Sequence, residues 1–166
     1  MAGPLEPHFA EVSFGSRVPP ELLSALRGND FFYGVSESLI DDFVGAFRMA
    51  CLPSLTTLYR RKSASTHVFL ILDGAVRIQY SNLEKDGAVQ ILHKGRFTGE
   101  VSLMPALQRL HQGTATFAEP TVLCWARAVD ITALLCRTPQ VAINIAHSLH
   151  ARVGGALRAI DSVHIG

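Results

Sequence analysis

The chain has 166 residues, 48% of them hydrophobic and 17% charged, enough apolar material for one globular domain and unlike a disordered chain. Its formal net charge of +1 gives no electrostatic footprint for nucleic-acid binding. The three cysteines, Cys51, Cys124 and Cys136, are odd in number, widely spaced and without a CxxC pair. They argue against a disulfide framework and a structural zinc site, fit a reducing compartment, and read as small buried residues.

In chain order, "MAGPLEPHFAEVSFG" has no basic region followed by an apolar run, so it does not read as a secretory signal. The longest apolar runs, such as "VFLIL" at Val68–Leu72, are too short to span a membrane, and the cytoplasm is the expected location. Residues 1–30 are read as a leader and a short helix, "PPELLSALRG", with Pro at its start and Gly28 at its end. "SESLIDDFVGAFRMA" is predicted as a second helix, with Leu39, Phe43 and Phe47 on one face and Ser36 or Ser38 as its cap.

The period then changes. "SLTTLYR" is rich in β-branched residues, and "HVFLILDG" is a compact apolar run ended by the turn dipeptide Asp73-Gly74. "AVRIQYS" alternates, with Val76, Ile78 and Tyr80 opposite Arg77 and Gln79. The turn "NLEKDG", the strand "AVQILH", the turn "KGRF" and the strands "TATFA" and "TVLCWAR" follow. Many short strands between Gly-bearing turns predict a roll or barrel rather than a parallel α/β sheet.

Helix returns with "AVDITALLCR" and, beyond Pro139, a long helix. Ala142, Ala146, Leu149, Val153, Ala156, Ile160 and Val163 form a heptad seam of small and apolar residues. Gly154 and Gly155 beside it cost roughly 1 kcal/mol each relative to Ala, which packing must offset. The helix is read as a dimerisation helix, with Leu149, Val153, Ala156, Ile160 and Val163 at the interface; packing against its own roll is the alternative.

This order of parts resembles the cyclic-nucleotide-binding domain family, and is most similar to the effector domain of catabolite-activator-type (CRP/FNR) regulators. Three stretches carry the resemblance: "FLILDGAVRIQY", "HKGRFTGEVSLM" and "GTATFAEPTVLCWARAVDITALLCRTPQVA". It implies an α+β (mainly β) fold: a double-stranded β-helix or jelly roll over residues 31–138, preceded by helices and followed by a dimerisation helix over residues 139–166.

The resemblance also implies a phosphate-binding cassette opening at Gly99, Glu100 and Val101. The Glu would accept from a ribose hydroxyl, backbone N–H groups would face the phosphate, and Thr114 would match the hydroxyl residue after the family's Arg. That Arg position falls on Gly113, and the connection from Glu100 is longer than the family's. Arg109 and His111 are the available substitutes, His111 with a pH-dependent charge. The stretch is therefore either a cassette rebuilt around Arg109 or His111 for a cyclic nucleotide (cAMP-like) or another small anion, or one that has lost its nucleotide and keeps its shape.

A second departure is the basic run Arg60, Arg61 and Lys62, read as a solvated turn or, more weakly, an anion-attracting rim. His147 and His150 share a helix face, but no His-x-His or other metal pattern accompanies them, and no metal site is assigned. No nucleophile elbow, P-loop or dinucleotide fingerprint is present, which leaves no warrant for an enzyme.

The expected function is a ligand-sensing, homodimerising regulatory domain of a CRP/FNR-like transcription regulator with a small-molecule effector. The family's helix-turn-helix output is not within residues 1–166, which are expected to bind no DNA on their own and no membrane. The alternative is a stand-alone interaction protein whose degenerate pocket binds no cyclic nucleotide.

Overall fold

The computed structural model describes residues 18–80, 88–104 and 109–164, with residues 153–164 described as helical backbone only. Among these residues, eight strands make two four-stranded antiparallel sheets. The strands are β1 (Arg48–Leu52), β2 (Thr57–Tyr59), β3 (His67–Asp73), β4 (Ala75–Gln79), β5 (Val89–His93), β6 (Phe97–Thr98), β7 (Thr114–Phe117) and β8 (Thr121–Arg127). One sheet has the order β1-β8-β3-β6 and the other β2-β7-β4-β5. The helices are α1 (Pro20–Arg27), α2 (Glu37–Val44), α3 (Ala128–Leu135) and α4 (Pro139–His164). The turn "NLEKDG" predicted at 82–87 lies outside the described residues.

The run "VFLIL" is continuous rather than alternating because β3 is covered on both faces. Val68, Leu70 and Leu72 join Cys124 and Ala126 of β8 in a core shared with the helices, among Leu26, Phe43, Ile131 and Ile145. Phe69 and Ile71 point the other way into the roll, with Leu123, Val76, Ile78 and Phe117. Burying both faces of one sheet in two apolar clusters is the main thermodynamic support of such a domain.

The segment read as one helix from Ser36 to Ala50 is divided. α2 stops at Val44, Gly45 follows, and Arg48–Leu52 is strand β1, paired with β8. Phe47 is buried in the same core as Phe43, but from the connection and not from the helix. The local 3.6-residue spacing was overridden by the vacancy beside β8, where pairing satisfies a row of backbone groups. Of the three cysteines only Cys124 is buried, and burial pushes its thiol up to about 12; Cys51 and Cys136 are exposed.

Side-chain polar ties hold the helical segments to the roll and to one another. Asn29 donates to the Arg96 carbonyl at 2.9 Å and accepts from the Phe31 amide at 3.1 Å, which starts a 3₁₀ turn at Asp30–Phe32. Arg96 pairs with Asp30 at 3.0 Å. Asn144, buried on α4, donates to the carbonyls of Phe31 at 3.0 Å and Tyr33 at 2.9 Å. With Val141 and Ile145 in the core, this places one face of α4 against the roll.

Candidate ligand site

A cavity of about 190 Å³ lies between the roll and α4. Its floor is the segment after β6. Gly99 has φ +82°, and a Cβ there would collide with the His67 carbonyl of β3 and lie 3.1 Å from Phe69 Cδ2. Gly99 is thus required by the strand beneath it. Glu100–Leu103 follow as a 3₁₀ helix, with Ser102 Oγ donating to the Gly99 carbonyl at 2.7 Å.

Glu100 is 1% exposed and faces the cavity. Its carboxylate is ion-paired with the guanidinium of Arg152 on α4, which also donates to the Phe97 carbonyl. Neither carboxylate oxygen has an aligned hydrogen-bond donor among the described residues, and Arg152 Nε is likewise without an acceptor. A buried ion pair with unfilled hydrogen-bonding capacity is costly unless further groups complete it.

The opposite wall is aromatic. Tyr59 bonds to Thr98, Oη to Oγ1, at 2.6 Å, and burial holds its phenol well above the usual value. His111 stacks on the Tyr59 ring with centroids 3.6 Å apart and planes 6° apart. Burial, then the nearby His67, lowers its pKa to about 4, so the ring is neutral at physiological pH and supplies no cation there. Tyr80, bonded to Gln90 at 2.9 Å, and Ile78, Val101 and Leu149 complete the lining.

Of the residues predicted for the site, Gly99, Glu100, Val101 and His111 line the cavity. Arg109 does not. It is exposed, and its carbonyl accepts from the Ser65 amide at 2.7 Å in a short ladder that also pairs Lys62 and Ser63 with His111. Thr114 is turned to that ladder too, its hydroxyl accepting from the Arg61 amide at 3.0 Å. Gly113, on which the resemblance places the family's Arg, lines the cavity, yet a Cβ there would be 2.7 Å from Ile78 Cγ2 and 2.9 Å from the Gln79 carbonyl. The packing of β4 therefore closes that position to any side chain.

Arg152 is the residue that sequence reasoning missed. Its signal was helical spacing: it continues the roll-facing stripe of Val141, Ile145 and Leu149. Within the heptad seam, Ala142 and Ala146 are exposed and Leu149 is half-buried against the roll. The side chains of Val153, Ala156, Ile160 and Val163, predicted for the dimer interface, lie outside the described residues.

A second cleft of about 240 Å³ lies against a different face of α4, with Asp30, Arg96 and His147 in its lining. Its principal charges, Arg96 and Asp30, are half-exposed and pair with each other. Among the described residues no group of three or more His, Cys, Asp or Glu could hold a metal ion, and no helix is long and apolar enough to cross a membrane.

No curated protein sequence matches this chain. Among solved structures it is similar to the catabolite activator protein of Thermus thermophilus, at 25% identity and a TM-score of 0.65, over 82% of this chain and 63% of that one. It thus spans less than two thirds of that protein's length. Its fold is also that of the N-terminal domain of a transcriptional regulator from Streptomyces coelicolor A3(2), at 19% identity and a TM-score of 0.56, over 82% of this chain and 94% of that one. The c-di-GMP responsive global regulator CLP of Xanthomonas campestris shares the fold at 16% identity and a TM-score of 0.64, over 74% of this chain and 62% of that one. The family model for the cyclic nucleotide-binding domain matches residues 52–137, just over half of the sequence, and with the jelly roll and cassette described above the chain belongs to that family.

Proposed function

We propose that this chain is the ligand-sensing and dimerising regulatory domain of a transcription regulator of the catabolite-activator type, acting in the cytoplasm and not as an enzyme. The observation that carries the reading is the pair Glu100–Arg152, which joins the cassette to α4 across the cavity. A ligand seated there must contact or part these two groups. Any difference in its affinity for two positions of α4 then becomes a shift between them. The ligand class this reading starts from is the family's, a cyclic nucleotide (cAMP-like) or another small anion.

In this proposal α4 transmits the shift by pairing with a second copy through Leu149, Val153, Ala156, Ile160 and Val163, and re-aims an attached DNA-binding output. Residues 1–166 by themselves are not assigned DNA binding.

Hydrogen exchange tests the reading. With cyclic AMP, cyclic GMP, adenosine or guanosine added in turn, at least one should slow exchange both in residues 97–103 and in residues 139–152. Unchanged rates in both segments with all four would overturn it.

A second reading, a stand-alone interaction protein with a degenerate pocket, is favoured by one feature: Gly113 is closed to the family's Arg. It predicts the unchanged rates.

A further inference from the structure

The cavity is electrically balanced. Glu100 and Arg152 cancel, and the other lining residues among those described carry no formal charge. Gly113 cannot be replaced by a cation without displacing Ile78 or the β4 backbone. Arg109 is exposed in the ladder beside Ser65, and His111 is held neutral by burial against Tyr59. The connecting residues 105–108 are Pro, Ala, Leu and Gln, none ionisable.

A phosphate entering this cavity meets a buried carboxylate with no surplus positive charge. To pair with Arg152 it must take that residue from Glu100, leaving the carboxylate buried and uncompensated. A neutral ligand avoids both costs. Among the described residues the unfilled capacity is specific: the Glu100 carboxylate has no aligned donor and Arg152 Nε has no acceptor, both beside an intact ion pair. Vicinal hydroxyls supply donors to a carboxylate, and a flat heteroaromatic ring supplies an acceptor and a face for Tyr80 and Leu149.

We infer that the cavity recognises an uncharged nucleoside, a planar base with its ribose hydroxyls and no phosphate, rather than an anion. The inference rests on the sensing reading above and changes the charge of the ligand that reading begins from.

Titration calorimetry of the 166-residue chain with adenosine, guanosine, cyclic AMP and cyclic GMP tests it. At least one nucleoside should bind more tightly than its own cyclic phosphate by about tenfold or more. Glu100→Gln, which keeps the shape and leaves Arg152 as net positive charge, should narrow or reverse that preference by about tenfold. Circular dichroism checks that the variant is folded, and the wild-type comparison stands without it. A cyclic nucleotide binding wild-type protein as tightly as its nucleoside overturns the inference and leaves ligand sensing intact. No binding by any of the four removes both.

Discussion

Arg152 of the long C-terminal helix holds the buried carboxylate of Glu100, and with it the start of the cassette, from across the cavity. Removing one partner leaves the other as an uncompensated buried charge, at about 3–5 kcal/mol. Arg152→Met should therefore destabilise the domain by an amount in that range in urea unfolding. Glu100→Gln should cost less, because an amide still accepts from the guanidinium. The double variant should be more stable than the sum of the two losses predicts, with a coupling of about 1 kcal/mol or more. Strict additivity would mean that the two side chains are not paired in solution.

Gly113 makes a second prediction. A methyl group there would press on Ile78 Cγ2 and the Gln79 carbonyl, and overpacking of this kind costs about 1–3 kcal/mol. Gly113→Ala should lower the melting temperature, and Gly113→Arg should lower it further without creating affinity for cyclic AMP. A Gly113→Arg protein as stable as wild type, with new cyclic AMP binding, would show that the strand beneath can yield.

His111 gives a pH dependence. Its pKa falls from an unfolded value near 6.5 to about 4 in the folded protein. Between these values the unfolded chain binds the proton and the folded one does not, so stability present at neutral pH is lost as pH falls from 6.5 toward 4. The loss reaches about 3 kcal/mol at the lower end. His111→Phe keeps a ring against Tyr59 and removes the titration. The difference in unfolding free energy between wild type and variant should change over that window and be flat above pH 7. A flat difference throughout would mean that the imidazole is not buried.

How much of this was legible in the sequence depended on whether a signal was local. The Asp73-Gly74 turn and the apolar run before it announced β3 and β4 because turn chemistry and burial act over a few residues. "FRMACL" did not announce β1, because what makes it a strand is the free side of β8, a partner far along the chain. Gly99 was read as the opening of the cassette, whereas what demands a glycine there is the His67 carbonyl of β3 beneath it. Arg109 carried the right charge near the right place, but the ladder of Lys62, Ser63 and Ser65 with Arg109 and His111 turns it outward. Arg152 was hidden because the seam read through Ala142, Ala146 and Leu149 runs on to Val153, whereas the stripe of Val141, Ile145 and Leu149 that faces the roll runs on to Arg152.

The same stripe separates two consequences for dimerisation. Leu149 packs on its own roll and lines the cavity, so Leu149→Asp should destabilise the fold. Val153→Asp tests the proposed helix pairing at a seam position further along α4. Light scattering should report a monomer for Val153→Asp with an unchanged circular dichroism spectrum, and a dimer for wild type. An unchanged mass would refute the heptad reading.

Asn144 decides how firmly α4 is seated. Its amide is the donor to the carbonyls of Phe31 and Tyr33, and its Oδ1 accepts from Gln140 at 3.1 Å. Phe31 is fully buried at the centre of a ring cluster with Phe32, Phe43, Phe47 and Phe97, so its carbonyl has little access to replacement water. Asn144→Ala should cost about 1–3 kcal/mol through that orphaned acceptor. Asn144→Asp should cost more, since it turns a carboxylate toward two carbonyl oxygens. Ala142, exposed on the same helix, is the control: Ala142→Ser should stay within about 0.5 kcal/mol of wild type. The Asn144 variants should also speed hydrogen exchange across residues 141–152, because among the described residues Asn144 ties α4 to the Phe31 turn and Arg152 ties it to the roll. If Asn144→Ala melts like wild type while Arg152→Met does not, the polar hold on the helix lies on the cavity side, at Glu100 and Arg152, added to the apolar seat of Val141 and Ile145.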